Sequence, residues 1–219
     1  MKSKILLFLL PLLLIGFLSI AQKTISEGTI VYTISIQTGN SKQPQMADAL
    51  DGATTTVYLK GALSRTDMAS SLGNESTIYN AVTGEAVILK EYSSQKLMIT
   101  LTKDNWVAKN KNYEGLTFIL GNEIKVIDGY NCKKATAKLE DGSTIIVYYT
   151  PDLTLINKDY DQTFKNLPGL AMQYEFQSGT LKFKYVVTRL DFSPVPIIKF
   201  DFPKSGYRVM TYDESQKVK

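Results

Sequence analysis

The chain has 219 residues, with 25 Lys and Arg against 21 Asp and Glu, so its formal net charge is +4. This near balance argues against nucleic-acid binding, which relies on clustered cations that face phosphates. The sequence has no His and one Cys, which disfavours zinc sites, Ser–His or Cys–His nucleophile pairs and an internal disulfide. We therefore expect no catalysis and no metal or other cofactor in a domain stabilised by its core.

The first 21 residues predict a cleaved secretory signal peptide. Lys2 and Lys4 precede an apolar run, Ile5–Ile20, and the small residue Ala21 closes the segment. The alternative is a membrane anchor, but the run of 16 residues is short for a bilayer and no charged stop-transfer cluster follows it. We expect export to the periplasm, with the cell surface or the medium as alternatives.

Most of the remaining sequence alternates apolar and polar residues, which is typical of strands with one buried face. The predicted strands are, in chain order, Thr29–Ile36, Thr54–Leu59, Thr77–Val82, Glu85–Tyr92, Lys96–Leu101, Lys134–Glu140, Ser143–Thr150, Leu170–Phe176 and Leu181–Thr188. Tight turns at Thr83-Gly84, Asp141-Gly142 and Ser178-Gly179 are expected to join neighbouring strands as hairpins. Sequential strands should therefore be neighbours in the sheet.

Helical signals are few and short. Three segments have the spacing or capping residues of a helical turn: Pro44–Leu50, Lys103–Lys111 and Asp159–Lys165. None is long enough to connect parallel strands, so an antiparallel arrangement is favoured.

These elements predict a mostly β fold. We expect a single curved antiparallel sheet, an incomplete or half β-barrel, of about 10–12 strands with one to three short capping helices. One domain is expected over 22–212, followed by a polar tail at 213–219. Such a sheet would form an apolar trough that suits a ligand. The alternative is a sandwich whose inner faces fill each other, and periodicity does not separate the two.

Three motifs occur in a specific order. The chain reads GYNCKKA at 129–135, YYTPDL at 148–153 and LPGL at 167–170. With the opening strand GTIVY at 28–32, this order resembles the GLPGLI family of exported bacterial envelope proteins. The matching residues are Gly129, Tyr130, Cys132, Lys134, Ala135, Tyr149, Thr150, Leu167, Pro168, Gly169 and Leu170, whereas Asn166 and Ala171 replace the first Gly and last Ile of the family string.

The resemblance implies an exported, β-rich envelope domain, and it supplies no chemistry. More distantly, the architecture it implies is similar to the half-barrel of bacterial lipoprotein carriers, a curved sheet with helices over its mouth. That step is an analogy between folds.

Two motif features have structural interpretations. Leu167-Pro168-Gly169-Leu170 predicts a type II turn, in which Pro fixes φ at the second position and Gly supplies positive φ at the third. Cys132 is expected to be a small buried hydrophobe, and the alternative is a thiol activated by Lys134. Gly129 and Tyr130 are also expected to have structural roles.

We predict an exported binding or carrier protein that holds a lipid, an acyl chain or a lipidated partner in the trough. The candidate ligand-binding residues are Trp106, Leu170, Met172, Tyr174, Phe176, Phe183 and Tyr185. Leu170, Met172, Tyr174 and Phe176 alternate along one predicted strand and should share one face, opposite the aromatic residues of the next strand. For Trp106, a lid over the trough and an anchor for a loop both remain open. The alternative function is an envelope structural or interaction protein with a filled core and no small-molecule site.

Overall fold

The computed structural model describes residues 22–38, 50–178 and 181–217. The predicted signal peptide, residues 44–49 of the first predicted helix, and Gly179 of the third predicted turn lie outside these ranges. Within them, no helix has both the length and the apolar character needed to cross a membrane.

Fourteen strands make up most of the described chain. They are β1 Lys23–Ile25, β2 Glu27–Thr38, β3 Thr54–Lys60, β4 Leu63–Ser70, β5 Gly73–Asn80, β6 Ala86–Tyr92, β7 Gln95–Leu101, β8 Ile119–Ile127, β9 Tyr130–Lys138, β10 Thr144–Thr150, β11 Leu153–Leu155, β12 Leu170–Ser178, β13 Leu181–Asp191 and β14 Arg208–Thr211. Twelve of them form one sheet in the order β14-β7-β6-β5-β4-β3-β2-β13-β12-β10-β9-β8. The sheet is curved and does not close, which confirms the predicted fold class.

Strand β2 joins two halves of this sheet. It pairs with β3 on one side and with β13 on the other, both antiparallel. Sequential strands continue as antiparallel neighbours from β3 to β7, as the hairpin signals predict. Two pairings in the described chain are parallel instead: β14 beside β7, and the small separate sheet of β1 and β11. The N- and C-terminal parts of the chain therefore meet in one sheet.

Strands β4 and β8 are among those that were not predicted. Strand β4 carries few apolar residues, and the apolar residues of β8 are interrupted by Gly121, Asn122 and Glu123. A two-residue turn, Asp128-Gly129, joins β8 to β9 with φ angles of 47° and 78°, which is the backbone that tight hairpins need. This Asp-Gly signal was present in the sequence and marks the end of β8.

The helices are short, as expected. Helix α1, Lys103–Lys109, begins after Thr102, whose side chain accepts a hydrogen bond from Asn105 N at 3.3 Å. A 3-10 turn, Lys111–Tyr113, follows, and another, Lys158–Tyr160, takes the place of the helix predicted at Asp159–Lys165. Helix α2, Tyr212–Lys217, occupies most of the stretch predicted as a polar tail.

Paired residues define the two faces of the sheet, because direct cross-strand partners point to the same side. Two rows of cross-strand partners lie on the helix-covered face. From β7 to β2 the row is Ile99, Ile88, Thr77, Thr66, Val57 and Ile30. From β2 to β12 the row is Ile34, Tyr185 and Tyr174. Both helices pack on β7 on this face. On the opposite face, the segment Val195–Phe200 buries Met98, which is 5% exposed although alternation placed it on the polar side of its strand.

The LPGL segment corrects one prediction. Gly169 does not have a positive φ, so the type II turn is wrong. The glycine is needed for space instead: a Cβ atom there would lie 2.1 Å from the carbonyl oxygen of Thr150. Glycine thus lets the chain pass against strand β10 before it enters β12.

Candidate ligand site

Four predicted ligand residues form an aromatic row on the helix-covered face. Tyr174 and Tyr185 are cross-strand partners whose rings stack at 4.5 Å, and Phe176 stacks on its partner Phe183 at 5.1 Å. The row is half-buried. Pairs of this kind stabilise a sheet beyond the area they bury, by about 0.5–1.5 kcal/mol each.

Leu170 and Met172 do not continue the row. The pairing of β10 with β12 shifts register, because Tyr148 faces Gln173 whereas Tyr149 faces Ala171. Met172 is the extra residue of this bulge, so the predicted alternation from Leu170 to Phe176 is broken. Leu170 is 2% exposed and Met172 is 0% exposed in the main core cluster, and neither is open to a ligand.

Connecting segments fill the space over the row. Leu116, Phe164 and Leu167 are buried in one cluster with Val147 and Tyr149 of strand β10. The Phe164 ring lies 4.8 Å from that of Tyr174. The cavity beside Leu167 and Leu170 has a volume of only about 20 Å³, far below the several hundred Å³ of a typical ligand site. This half of the predicted trough is a packed core.

Asp161 is a titratable group with a perturbed pKa next to this core. Burial raises its pKa, and hydrogen bonds from Thr163 oppose that rise. Its Oδ1 accepts from Thr163 N at 3.0 Å, an Asx-type turn. Tyr160 and Tyr174 lie nearby, and burial raises the pKa of both phenols well above the usual value. The carboxyl closes the turn that leads into Phe164, which is a structural role.

Cys132 also belongs to the core. Its side chain is 0% exposed, and burial raises the pKa of the thiol to about 11. Its Sγ lies 3.4 Å from the carbonyl oxygen of Tyr130. A thiol in this state is unreactive at neutral pH, because the nucleophile is the thiolate.

Trp106 lies in the other half of the sheet. It is 7% exposed and its ring stacks on Tyr79 at 4.5 Å, which anchors α1 to the strands. Among the described residues, no acceptor bonds to its buried Nε1. A cavity of about 540 Å³ lies beside it, and Tyr113, Asp159 and Gln162 contribute to the wall. Of the two roles left open for Trp106, its packing on Tyr79 fits the anchor, and Trp106 does not join the aromatic row.

A larger space, the C-terminal groove, lies between the sheet and α2. Its volume is about 830 Å³, its floor is Ile88, Leu97, Ile99 and Met210, and one wall is formed by Tyr212, Ser215 and Gln216 of α2. Ile88, Ile99 and Met210 are buried. This groove was not predicted from the sequence. The apolar residues of β6 and β7 mark its floor, but no local signal shows that β14 returns to pair with β7.

The groove exists because of that pairing. Met210 lies beside Ile99 and Arg208 lies beside Leu97 in the parallel register of β14 with β7. Glu214 then accepts a hydrogen bond from Thr211 N at 2.7 Å, which fixes the start of α2. The helix is thereby held over the floor. Within the described ranges, no group of three or more His, Cys, Asp or Glu is placed to hold a metal ion.

Comparison with known proteins supports the fold only. No protein-family model matches the chain, and no curated protein sequence matches it. The chain is similar to the solved structure of PNGF-II, with a TM-score of 0.51 and 16% identity over 88% of this chain and 33% of that one. It therefore spans about a third of the PNGF-II chain.

Two further solved structures are less similar. MucB has a TM-score of 0.41 and 10% identity, over 81% of this chain and 57% of that one. The lipoprotein LppX of Mycobacterium tuberculosis has a TM-score of 0.40 and 10% identity, over 77% and 88%. The resemblance to the GLPGLI family stays a prediction.

Proposed function

We propose that this protein is an exported binding or carrier protein that holds an acyl chain or a similar apolar ligand in the C-terminal groove, without catalysis. The observation that carries the proposal is a space of about 830 Å³ over a buried apolar floor. Pockets of several hundred Å³ with apolar walls are the usual sites for small ligands. Burial of the apolar surface that the half-buried lining residues Leu97 and Tyr212 still expose would supply the affinity, at about 25 cal/mol per Å² before the costs of association.

None of the seven ligand residues predicted from the sequence lines this groove. Phe164 packs on Tyr174 of the aromatic row, whereas the wall that α2 forms beside the floor consists of Tyr212, Ser215 and Gln216. Lipid carriage is therefore proposed for the β6, β7 and β14 end of the helix-covered face. Export to the periplasm rests on the signal peptide that the sequence predicts.

A titration with the neutral dye N-phenyl-1-naphthylamine tests this function. Residues 22–219 should enhance its fluorescence, and Met210→Asp should weaken binding about tenfold or more, because a charge would be buried in the floor. Val209→Asp is the matched control, because Val209 is 63% exposed on the same strand, and it should bind like the original chain. Absence of dye binding, together with no lipid retained in native mass spectrometry, would rule the function out.

A second function, an envelope interaction protein, is supported by a different surface. Strand β8 is the outermost strand of the sheet and exposes Ile119, Ile124 and Val126 at 77%, 62% and 65%. Exposed apolar edge strands pair readily with other chains. Sedimentation of the purified protein tests for self-pairing: Ile124→Lys should abolish association, and a monomer at high concentration would remove this support.

A further inference from the structure

The rim of the C-terminal groove is cationic. Its charged lining residues are Lys90, Lys96, Lys109 and Arg208 against a single carboxylate, Glu75. The chain as a whole is close to neutral, so this excess of positive charge is local. Positive charge at the mouth of an apolar cleft concentrates anions there.

Two of these cations are already paired. Lys90 lies 3.1 Å from Glu75, and Lys96 lies 3.5 Å from Glu91. Lys109 and Arg208 form no salt bridge with a carboxylate in the described part of the chain. Their interactions with acids of the chain are of longer range: Lys109 interacts electrostatically with Asp161, and Arg208 with Glu214. Each can therefore add a direct ion pair with a ligand.

Their positions bring them to the same space from different elements. Lys109 ends α1 three residues after Trp106, so it lies on the same side of the helix, where its exposed side chain lines the groove. Arg208 begins β14 beside Leu97 of the floor. Glu214, the acid that interacts electrostatically with Arg208, accepts hydrogen bonds of 2.7 and 3.0 Å from Thr211.

We propose that the groove selects single-chain amphiphiles with an anionic head group of the fatty-acid class, over neutral analogues of the same length. The apolar floor takes the chain, and Lys109 and Arg208 bind the carboxylate at the rim. The planar guanidinium suits a carboxylate in particular, because it donates two parallel hydrogen bonds. This inference rests on the proposed function, since it names the ligand of the same site.

Displacement of the neutral dye by dodecanoate and by methyl dodecanoate tests the inference. At low salt, dodecanoate should bind about fivefold tighter than the ester, as expected for one or two exposed ion pairs. The ratio should fall towards one in about 1 M salt, where the Debye length is about 3 Å. Equal affinities at low salt would overturn the inference.

A pair of double variants makes the test specific. Lys109→Gln with Arg208→Gln should bring the ratio of the two affinities close to one. Lys133→Gln with Lys138→Gln removes the same charge from exposed positions on β9, and should keep the fivefold ratio. Preference for dodecanoate that survives the first pair, or disappears with the second, would contradict the assignment.

The outcomes separate the two proposals. If the dye binds but dodecanoate and its methyl ester displace it equally well, the apolar binding site is supported and the preference for an anionic head group is contradicted. If the dye and both amphiphiles fail to bind the original chain, the proposed function itself is wrong. Thermal melting of each variant shows whether it is folded.

Discussion

The two halves of the helix-covered face share one sheet but are covered differently. On the half that contains β10, β12 and β13, connecting segments bring the large side chains of Phe164 and Leu167 onto the strands, and little space remains. On the half that contains β6 and β7, Trp106 and Tyr212 also pack on the strands, but about 830 Å³ remains beside Ser215 and Gln216 of α2. The two halves therefore differ in how completely the side chains of the covering segments fill them.

The largest expected effect lies where the filled half is tightest. Gly169→Val should destabilise the protein by about 4 kcal/mol, because its Cβ would lie 2.1 Å from a backbone oxygen that cannot move away. Gly129→Ala is the control: nothing lies within 4 Å of the added atom, and only its φ of 78° is strained, at about 1 kcal/mol. Urea unfolding measures both. Similar losses for the two would contradict the close approach at Gly169.

A variant of Phe164 would create a cavity in the filled half. Phe164→Ala should destabilise by about 3 kcal/mol, the range for loss of a buried aromatic side chain. The cavity would form beside Tyr174, whose ring now lies 4.8 Å away. If the filled and open halves differ only in covering side chains, this variant should also bind the naphthylamine dye at a second site. A second site in the original chain would mean that this half is already open.

The sequence predicted the strands that alternate and end at glycine turns. Thr54–Leu59 is one of them, since its period of two is what a half-buried strand requires. Strand β4 escaped detection because the residues it buries wholly or in part are largely polar: Ser64 is buried, and the half-buried Arg65 donates to Ser76 of β5 at 3.2 Å. Such pairs satisfy polar groups only after the strands have met, so no local pattern shows them.

The candidate site was less predictable than the fold. The pairing of Tyr174 with Tyr185 follows from alternation and a hairpin. By contrast, the bulge at Met172 and the parallel contact of Met210 with Ile99 depend on residues far apart in the chain. The bulge places Leu170 and Met172, two expected ligand residues, in the core. The pairing of β14 with β7 creates a groove that no sequence motif marks.

Cys132 reports on how closed the main core cluster is, which also contains Leu170 and Met172. Burial raises the pKa of its thiol from 9.0 to about 11, so labelling by a thiol reagent at pH 8 should be about 100-fold slower than in urea. Folding therefore favours the neutral thiol of Cys132 over its thiolate. The stability linked to this group is therefore present below pH 9 and is lost as the pH rises through about 11. Labelling as fast as in urea would show that this core opens readily.

Trp106 gives the smallest expected effect. It lies in the half that contains β6 and β7, and no described residue accepts a hydrogen bond from its buried Nε1. Trp106→Phe keeps an aromatic ring against Tyr79 and removes the donor. An unpaired buried donor costs about 1–3 kcal/mol, so its removal should offset most of the lost packing and leave a net loss below about 1 kcal/mol. A net loss above about 2 kcal/mol would mean that an acceptor outside the described residues, such as water, bonds to Nε1. Since Trp106 also lines the neighbouring cavity of about 540 Å³, that result would place a polar group at the border of the open half.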